Sequence, residues 1–224
     1  MRNTNPEPGS RKSVTATDGR PIGQRAQATR RRLLDETRSL LSRQGLSNLR
    51  LVEITRASGA STATFYQYFT DIDDALLALS EDLVADANEL VGLLSEPWTS
   101  AADKPKVEAF VVAYCRYWAD NDSVLRVRNL KSEESDPRFR EVRRRAQTPL
   151  ADALTNKVEA SITAGSVSSD QAPYATAAAA LAALERLVTY RQRFNERGID
   201  DQALVNSLTN LFMQIIVGVN LVET

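Results

Sequence analysis

Residues 51–69 read Leu51-Val-Glu-Ile-Thr-Arg-Ala-Ser-Gly-Ala-Ser-Thr-Ala-Thr-Phe-Tyr-Gln-Tyr-Phe69. Leu51, Ile54 and Ala57 fall on one face of a short helix over 51–58, and Gly59 interrupts it. Ser61 is placed to cap a second short helix over 62–69, because its hydroxyl can accept from a first-turn amide. Two short helices joined by a turn of about three or four residues with Gly are the helix-turn-helix pattern. In this reading Leu51, Ile54 and Phe65 pack between the helices, Gly59 permits the tight turn and Phe69 closes the unit. The second helix is then free to enter a major groove.

Upstream, Leu33, Leu34, Leu40 and Leu41 recur at helical spacing and predict a helix from Gly23 to Gln44 that stops at Gly45. Downstream, Asp71 caps a helix whose stripe is Leu76, Leu79, Leu83, Ala87 and Leu90, and which runs to about Leu94. Pro97 and Pro105 bracket a loop. Further helices are expected over 104–120, 123–132, 137–164, 173–196 and 200–222, with Pro149 kinking or splitting the third. Period-two alternation is missing, so the fold is read as all-α. An N-terminal three-helix helix-turn-helix domain precedes a helical bundle.

Charge divides the same way. Residues 1–56 hold twelve basic and five acidic residues, a net of +7 against −1 for the whole chain. Residues 57–103 contain nine acidic residues and no Lys or Arg. Only the first part is therefore suited to a polyanion. Within it, residues 1–22 are rich in Ser, Thr, Pro, Gly and Arg and cannot offset their own ordering entropy. They are read as a disordered basic tail that can still touch phosphates. The expected domains are this tail, a DNA-binding domain over 23–70 and a helical domain over 71–224, whose ligand-binding and dimerisation roles rest on a family resemblance alone.

Several chemistries are disfavoured. The 224-residue chain has no histidine, hence no imidazole base, metal ligand or triad. Cys115 is the sole cysteine, cannot form an internal disulfide and sits on what reads as a buried helix face. There is no Gly-rich phosphate loop, so neither an enzyme nor a cofactor is expected. The most apolar run, around Ala175–Leu184, is much shorter than the ~20 residues of a membrane span. With no apolar leader visible, the expected home is the cytoplasm.

The stretch 51–69 resembles the helix-turn-helix of the TetR family in Ile54, Gly59, Ser61, Thr64, Phe65, Tyr66 and Phe69. The core Thr64-Phe65-Tyr66-x-x-Phe69 is the most specific part, and the similarity extends from Thr29 to Leu79. Thr55 and Ser58 stand where the family has Ala, Ala60 where it has Val or Ile, and Ile72 where a phosphate-holding Lys is common. The resemblance implies that Ser61, Thr62, Thr64, Gln67 and Tyr68 approach bases and phosphates and that Tyr66 contacts the backbone. The recognition helix has no Lys or Arg, so affinity must come from Arg25, Arg30, Arg31 and Arg32, with Arg50 and Arg56. Gln67 alone there suits a bidentate contact with adenine. Phe65 and Phe69 are read as core; Tyr66 and Tyr68 stand equally between core and phosphate contact.

For the remainder the resemblance implies a bundle with an inducer pocket, for which Phe110, Tyr114, Trp118, Phe139 and Tyr190 are candidates. Ordinary core packing is the competing reading for each. Arg116 is the only charge between Phe110 and Tyr117, so such a pocket would suit a largely apolar ligand. The two last helices, one nearly all Ala over 175–183, would pair with their two-fold mates. The function expected is a homodimeric repressor on a palindromic double-stranded operator, released by a small-molecule effector. The alternative is a helical ligand-binding or scaffold protein in which the helix-turn-helix is only structural. A scaffold has no need of the +7 segment.

Overall fold

The computed structural model describes Thr17 and residues 23–219. Among these every regular element is helical: α1 (Gln24–Gln44), α2 (Leu51–Ala57), α3 (Thr62–Tyr66), α4 (Ile72–Gly92), α5 (Lys104–Glu133), α6 (Pro137–Thr163), α7 (Pro173–Thr189), α8 (Arg191–Asn195) and α9 (Asp201–Phe212). The all-α expectation and the order of a helix-turn-helix domain before a helical domain both hold. The described residues divide into two compact units, with the boundary between Ala78 and Leu79. The tail expected over 1–22 lies outside the described residues except for Thr17.

In the first unit, α1 turns Leu33, Leu34, Leu40 and Leu41 inward and ends where the Gly45 N–H donates to the Leu41 carbonyl at 3.0 Å. Its core is completed by Leu49, Ile54, Phe65 and Phe69, none more than 4% exposed. Burying such a side chain contributes about 1.5–3 kcal/mol, which is how a unit with helices of seven and five residues holds together.

One face differs from the periodic reading. α2 buries Ile54, Thr55 and Ser58, whereas Ala57 is exposed. The two hydroxyls remain satisfied because Thr55 donates to the Leu51 carbonyl at 3.1 Å and Ser58 to the Thr55 carbonyl at 3.1 Å. Small polar residues thus take interior places without an unpaired group.

α4 begins as expected, with the Asp71 carboxylate accepting from the Asp74 N–H at 2.7 Å and Asp73 and Asp74 in its first turn. In the second unit, α5 is one helix of 30 residues rather than two, since nothing between Asp120 and Ser123 breaks it. α6 likewise continues through Pro149. The proline removes one backbone hydrogen bond, which the packing of α6 against both α5 and α7 outweighs. The helix expected over 173–196 is divided at Tyr190, and α9 extends into a single π turn, Met213–Val217.

The core of this unit is aromatic. Phe110 lies 6.0 Å from Trp98, 6.2 Å from Tyr114 and 5.9 Å from Phe212, at tilted angles. Gly218 closes α9 at φ +78°, and a Cβ there would stand 2.1 Å from the Ser166 carbonyl oxygen. No side chain fits that approach. No helix among the described residues is long and apolar enough to cross a membrane.

Candidate nucleic-acid interface and bundle cavity

The turn between α2 and α3 is built on Gly59, at φ +61°, with the Ala60 N–H reaching back to the Thr55 carbonyl at 2.9 Å. Ser61 then caps α3: its Oγ accepts from the Thr64 N–H at 3.0 Å and lies 2.9 Å from the Thr64 hydroxyl. α3 is shorter than expected and ends at Tyr66, although the Phe69 N–H still bonds to the Phe65 carbonyl at 3.0 Å.

α3 has two distinct faces. Phe65 and Phe69 are fully buried, 5.3 Å apart, and Tyr66 meets Phe65 edge-on at 5.9 Å. Ser61, Thr62, Tyr66 and Gln67 are exposed, while Thr64 and Tyr68 are half-buried. Tyr66 is 49% exposed although it packs edge-on against Phe65. The expected base- and phosphate-facing residues thus lie at or near the surface of this segment, and none of them is buried.

The arginines are not equivalent. Arg30 stacks on Phe69, 5.1 Å from its ring centre. Arg31 bonds Asp35 at 2.9 Å. Arg50 donates to the Ser47 carbonyl at 2.8 Å and the Leu49 carbonyl at 3.2 Å, which fixes its guanidinium over the turn before α2. Arg25, Arg32 and Arg56 are exposed. Sequence reasoning missed Thr17, whose N–H donates to the Gln67 carbonyl at 3.0 Å and whose hydroxyl donates to the Tyr66 carbonyl at 3.1 Å. These bonds occupy carbonyls at the end of α3 that no helical partner would satisfy. Nothing in the local sequence around Thr17 signals them.

The second unit contains a cavity of about 820 Å³ bordered by α5, α6 and α7. Of the five aromatic candidates, Trp118 and Tyr190 line it. Phe110 and Phe139 are fully buried and Tyr114 is 3% exposed; these three sit in the core, away from the cavity wall. Burial raises the Tyr114 phenol well above its ordinary range, so it stays neutral.

The polar centre of the cavity is Glu185, which the aromatic pattern did not signal. Its carboxylate accepts from Asn129 at 2.7 Å, from Arg143 at 3.1 Å and from Gln147. The hint available beforehand was an acidic residue inside the apolar run of α7, between buried Leu184 and Val188. Arg126 and Arg186 border the cavity near Tyr190. Elsewhere in the unit, burial pushes the Cys115 thiol up to about 11, which keeps it protonated and unreactive at neutral pH.

Comparison with known proteins agrees with this geometry. Residues 33–79 match the model of bacterial regulatory proteins of the tetR family, and residues 88–221 match that of tetracyclin repressor-like C-terminal domains. No curated protein matches the chain at a significant level. Among solved structures, the fold is similar to that of the regulator FadR from Bacillus subtilis in complex with stearoyl-CoA, at 17% identity and TM-score 0.62, covering 85% of this chain and 99% of that one. The fatty acid degradation regulator FadR from Bacillus halodurans is similar at 17% identity and TM-score 0.64, covering 88% and 97%. NemR from E. coli, in its reduced form, is similar at 16% identity and TM-score 0.61, covering 86% and 100%. At these identities the likeness is one of fold.

Proposed function

The chain belongs to the TetR family of bacterial transcriptional regulators, and from that premise we propose that it is a homodimeric repressor released from a palindromic operator by a small-molecule effector. The observation that carries the proposal is the two-faced α3. Phe65 and Phe69 anchor it, and Ser61, Thr62, Tyr66 and Gln67 stand outward with no charged residue among them. Base reading falls to these neutral groups, Gln67 first, and phosphate attraction to the arginines of α1 and α2.

Dimerisation is assigned to α7 and α9. Ala175 and Ala179 are exposed on α7, and Asn206, Ser207 and Gln214 lie exposed on α9 and its π turn. Small side chains on α7 allow a two-fold mate to approach closely, and an isologous pair places two α3 helices about 34–36 Å apart. The effector site is the cavity between α5, α6 and α7, with Trp118 and Tyr190 on its wall. Its apolar lining, Leu130, Ala151, Ala178 and Leu181, suits the hydrophobic body of a ligand such as the long-chain thioester held by one structural relative. Effector and operator are coupled through α4, which carries residues of both units, with a coupling of about 1–3 kcal/mol. The protein works in the cytoplasm and is not an enzyme.

The test is operator binding across a salt series, using the DNA upstream of the neighbouring genes. Wild type binds with an affinity that falls steeply as salt rises, and Tyr66→Ala binds more weakly. Salt-independent binding, or none to any genomic fragment, would leave a scaffold as the better reading.

A further inference from the structure

Three guanidinium groups surround one ring of the second unit. Arg186, Arg193 and Arg126 lie 4.1, 5.1 and 5.8 Å from the centre of Tyr190, and Arg186 also donates to the Tyr190 hydroxyl at 3.1 Å. Each is attracted by the ring, but like charges this close repel one another. Arg126 pairs with Asp122 at 2.9 Å, and Arg193 borders a neighbouring recess that Asp122 and Glu196 also line; among the described residues Arg186 forms no ion pair.

The excess of positive charge continues inward. Arg143 gives a terminal nitrogen to Glu185 and leaves its Nε buried without an acceptor. Behind the cavity wall, Arg128 is 2% exposed, and its guanidinium reaches the Asn129 amide oxygen at 3.1 Å. Besides Glu185, the lining has one carboxylate, Glu133, and it is exposed.

The opposite end of the cavity is apolar. α7 presents Tyr174, Ala178, Leu181 and Ala182 there, and α6, running back after Gln147, adds Ala151. Tyr174 and Tyr190 stand roughly 24 Å apart along α7, at the helical rise of about 1.5 Å per residue. The site is thus elongated and graded from cationic to apolar.

We infer that the cavity takes an elongated amphipathic anion. Its carboxylate or phosphate head lies between Arg126 and Arg186 at the Tyr190 end, and its apolar chain runs along Ala178 and Ala182 towards Tyr174. The inference rests on the reading of this cavity as the effector site. Guanidinium forks suit either head, through paired charge-assisted hydrogen bonds.

Decanoate, decyl phosphate and 1-decanol place the same chain under two anionic heads and a neutral one. Their affinities for the full chain are measured by titration calorimetry, alongside thermal unfolding. At least one anion binds about tenfold or more tightly than the alcohol, and the order of the two anions identifies the head. Arg126→Gln/Arg186→Gln reduces that preference to about threefold or less, while thermal unfolding shows that the unliganded variant still folds. Arg186→Lys, which keeps the charge, retains most of the preference. Equal affinities for anion and alcohol, an unchanged preference in the double variant, or no binding of either anion to folded wild type each overturns the inference. Operator binding by the unliganded protein is read in parallel. If it persists while anions fail to bind, this inference alone falls; if it is absent, the regulator reading falls.

Discussion

The guanidinium of Arg30 lies 5.1 Å from the centre of the Phe69 ring, so an arginine expected to hold a phosphate also covers the residue that closes the helix-turn-helix. The stacked geometry orders the side chain before DNA arrives, which lowers the entropy lost on binding. It also joins α1 to the segment that follows α3.

Affinity and sequence preference should therefore separate by residue. Arg30→Gln or Arg32→Gln is expected to reduce the slope of log affinity against log salt by about 0.9 for each phosphate that is no longer neutralised. Gln67→Ala should leave that slope alone and relax discrimination at one base pair by about 1–3 kcal/mol. Binding isotherms on the operator and on single-base variants, at several salt concentrations, check both. A salt slope that responds to Gln67 and not to the arginines would contradict the division.

Neighbouring aromatic residues should behave oppositely. Phe65 is fully buried, and Phe65→Ala should cost about 3–5 kcal/mol of stability. Tyr66, 49% exposed, should lose little stability on truncation while losing DNA affinity. Denaturant unfolding compared with operator titration separates the effects.

Ser61→Ala removes the acceptor for the Thr64 N–H. A lost cap costs about 0.5–2 kcal/mol, and in a helix of five residues that loss falls largely on the reading surface. Hydrogen exchange at residues 62–67 should accelerate, whereas exchange in α5 to α9 should not change.

Glu185→Ala strips three donors of their acceptor at once. Leaving Arg143 with an uncompensated charge, and Asn129 and Gln147 unsatisfied, should cost about 3–5 kcal/mol. Glu185→Gln retains an acceptor and should cost less. Urea midpoints of the two variants give the comparison.

At the start of α5, the Lys106 ammonium beside Asp103 and the amides of Thr99 and Ser100 hold the Asp103 carboxyl at about 2, below its usual 3.8. A folded-state value below the unfolded one stabilises the protein above about pH 4. That stability fades as pH falls through about 2. Asp103→Asn should therefore lower the Tm at neutral pH, and the gap to wild type should close as pH approaches 2. A gap that widens in acid would contradict the assignment.

Local sequence was enough to specify the helix-turn-helix. Its signals act over a few residues: Ser61 caps the helix it opens, Gly59 supplies the turn, and Phe65 and Phe69 fall one helical turn apart. Such local devices work within whichever all-α fold surrounds them. The charge asymmetry and the absence of histidine are likewise properties of the chain alone.

Tertiary structure decided what depends on distant segments. Aromatic character could not separate Trp118 and Tyr190, on the cavity wall, from Phe110, Tyr114 and Phe139 in the core, because an apolar side chain fills either place equally well. Periodicity alone set Ala57 on the inner face of α2, but Thr55 and Ser58 are buried because backbone carbonyls within the helix satisfy their hydroxyls. The counter-charge of Glu185 comes from Arg143, 42 residues away. The arginines around Tyr190 come from α5, α7 and α8 together. Electrostatic neighbourhoods of that kind exist only after helices remote in sequence have packed.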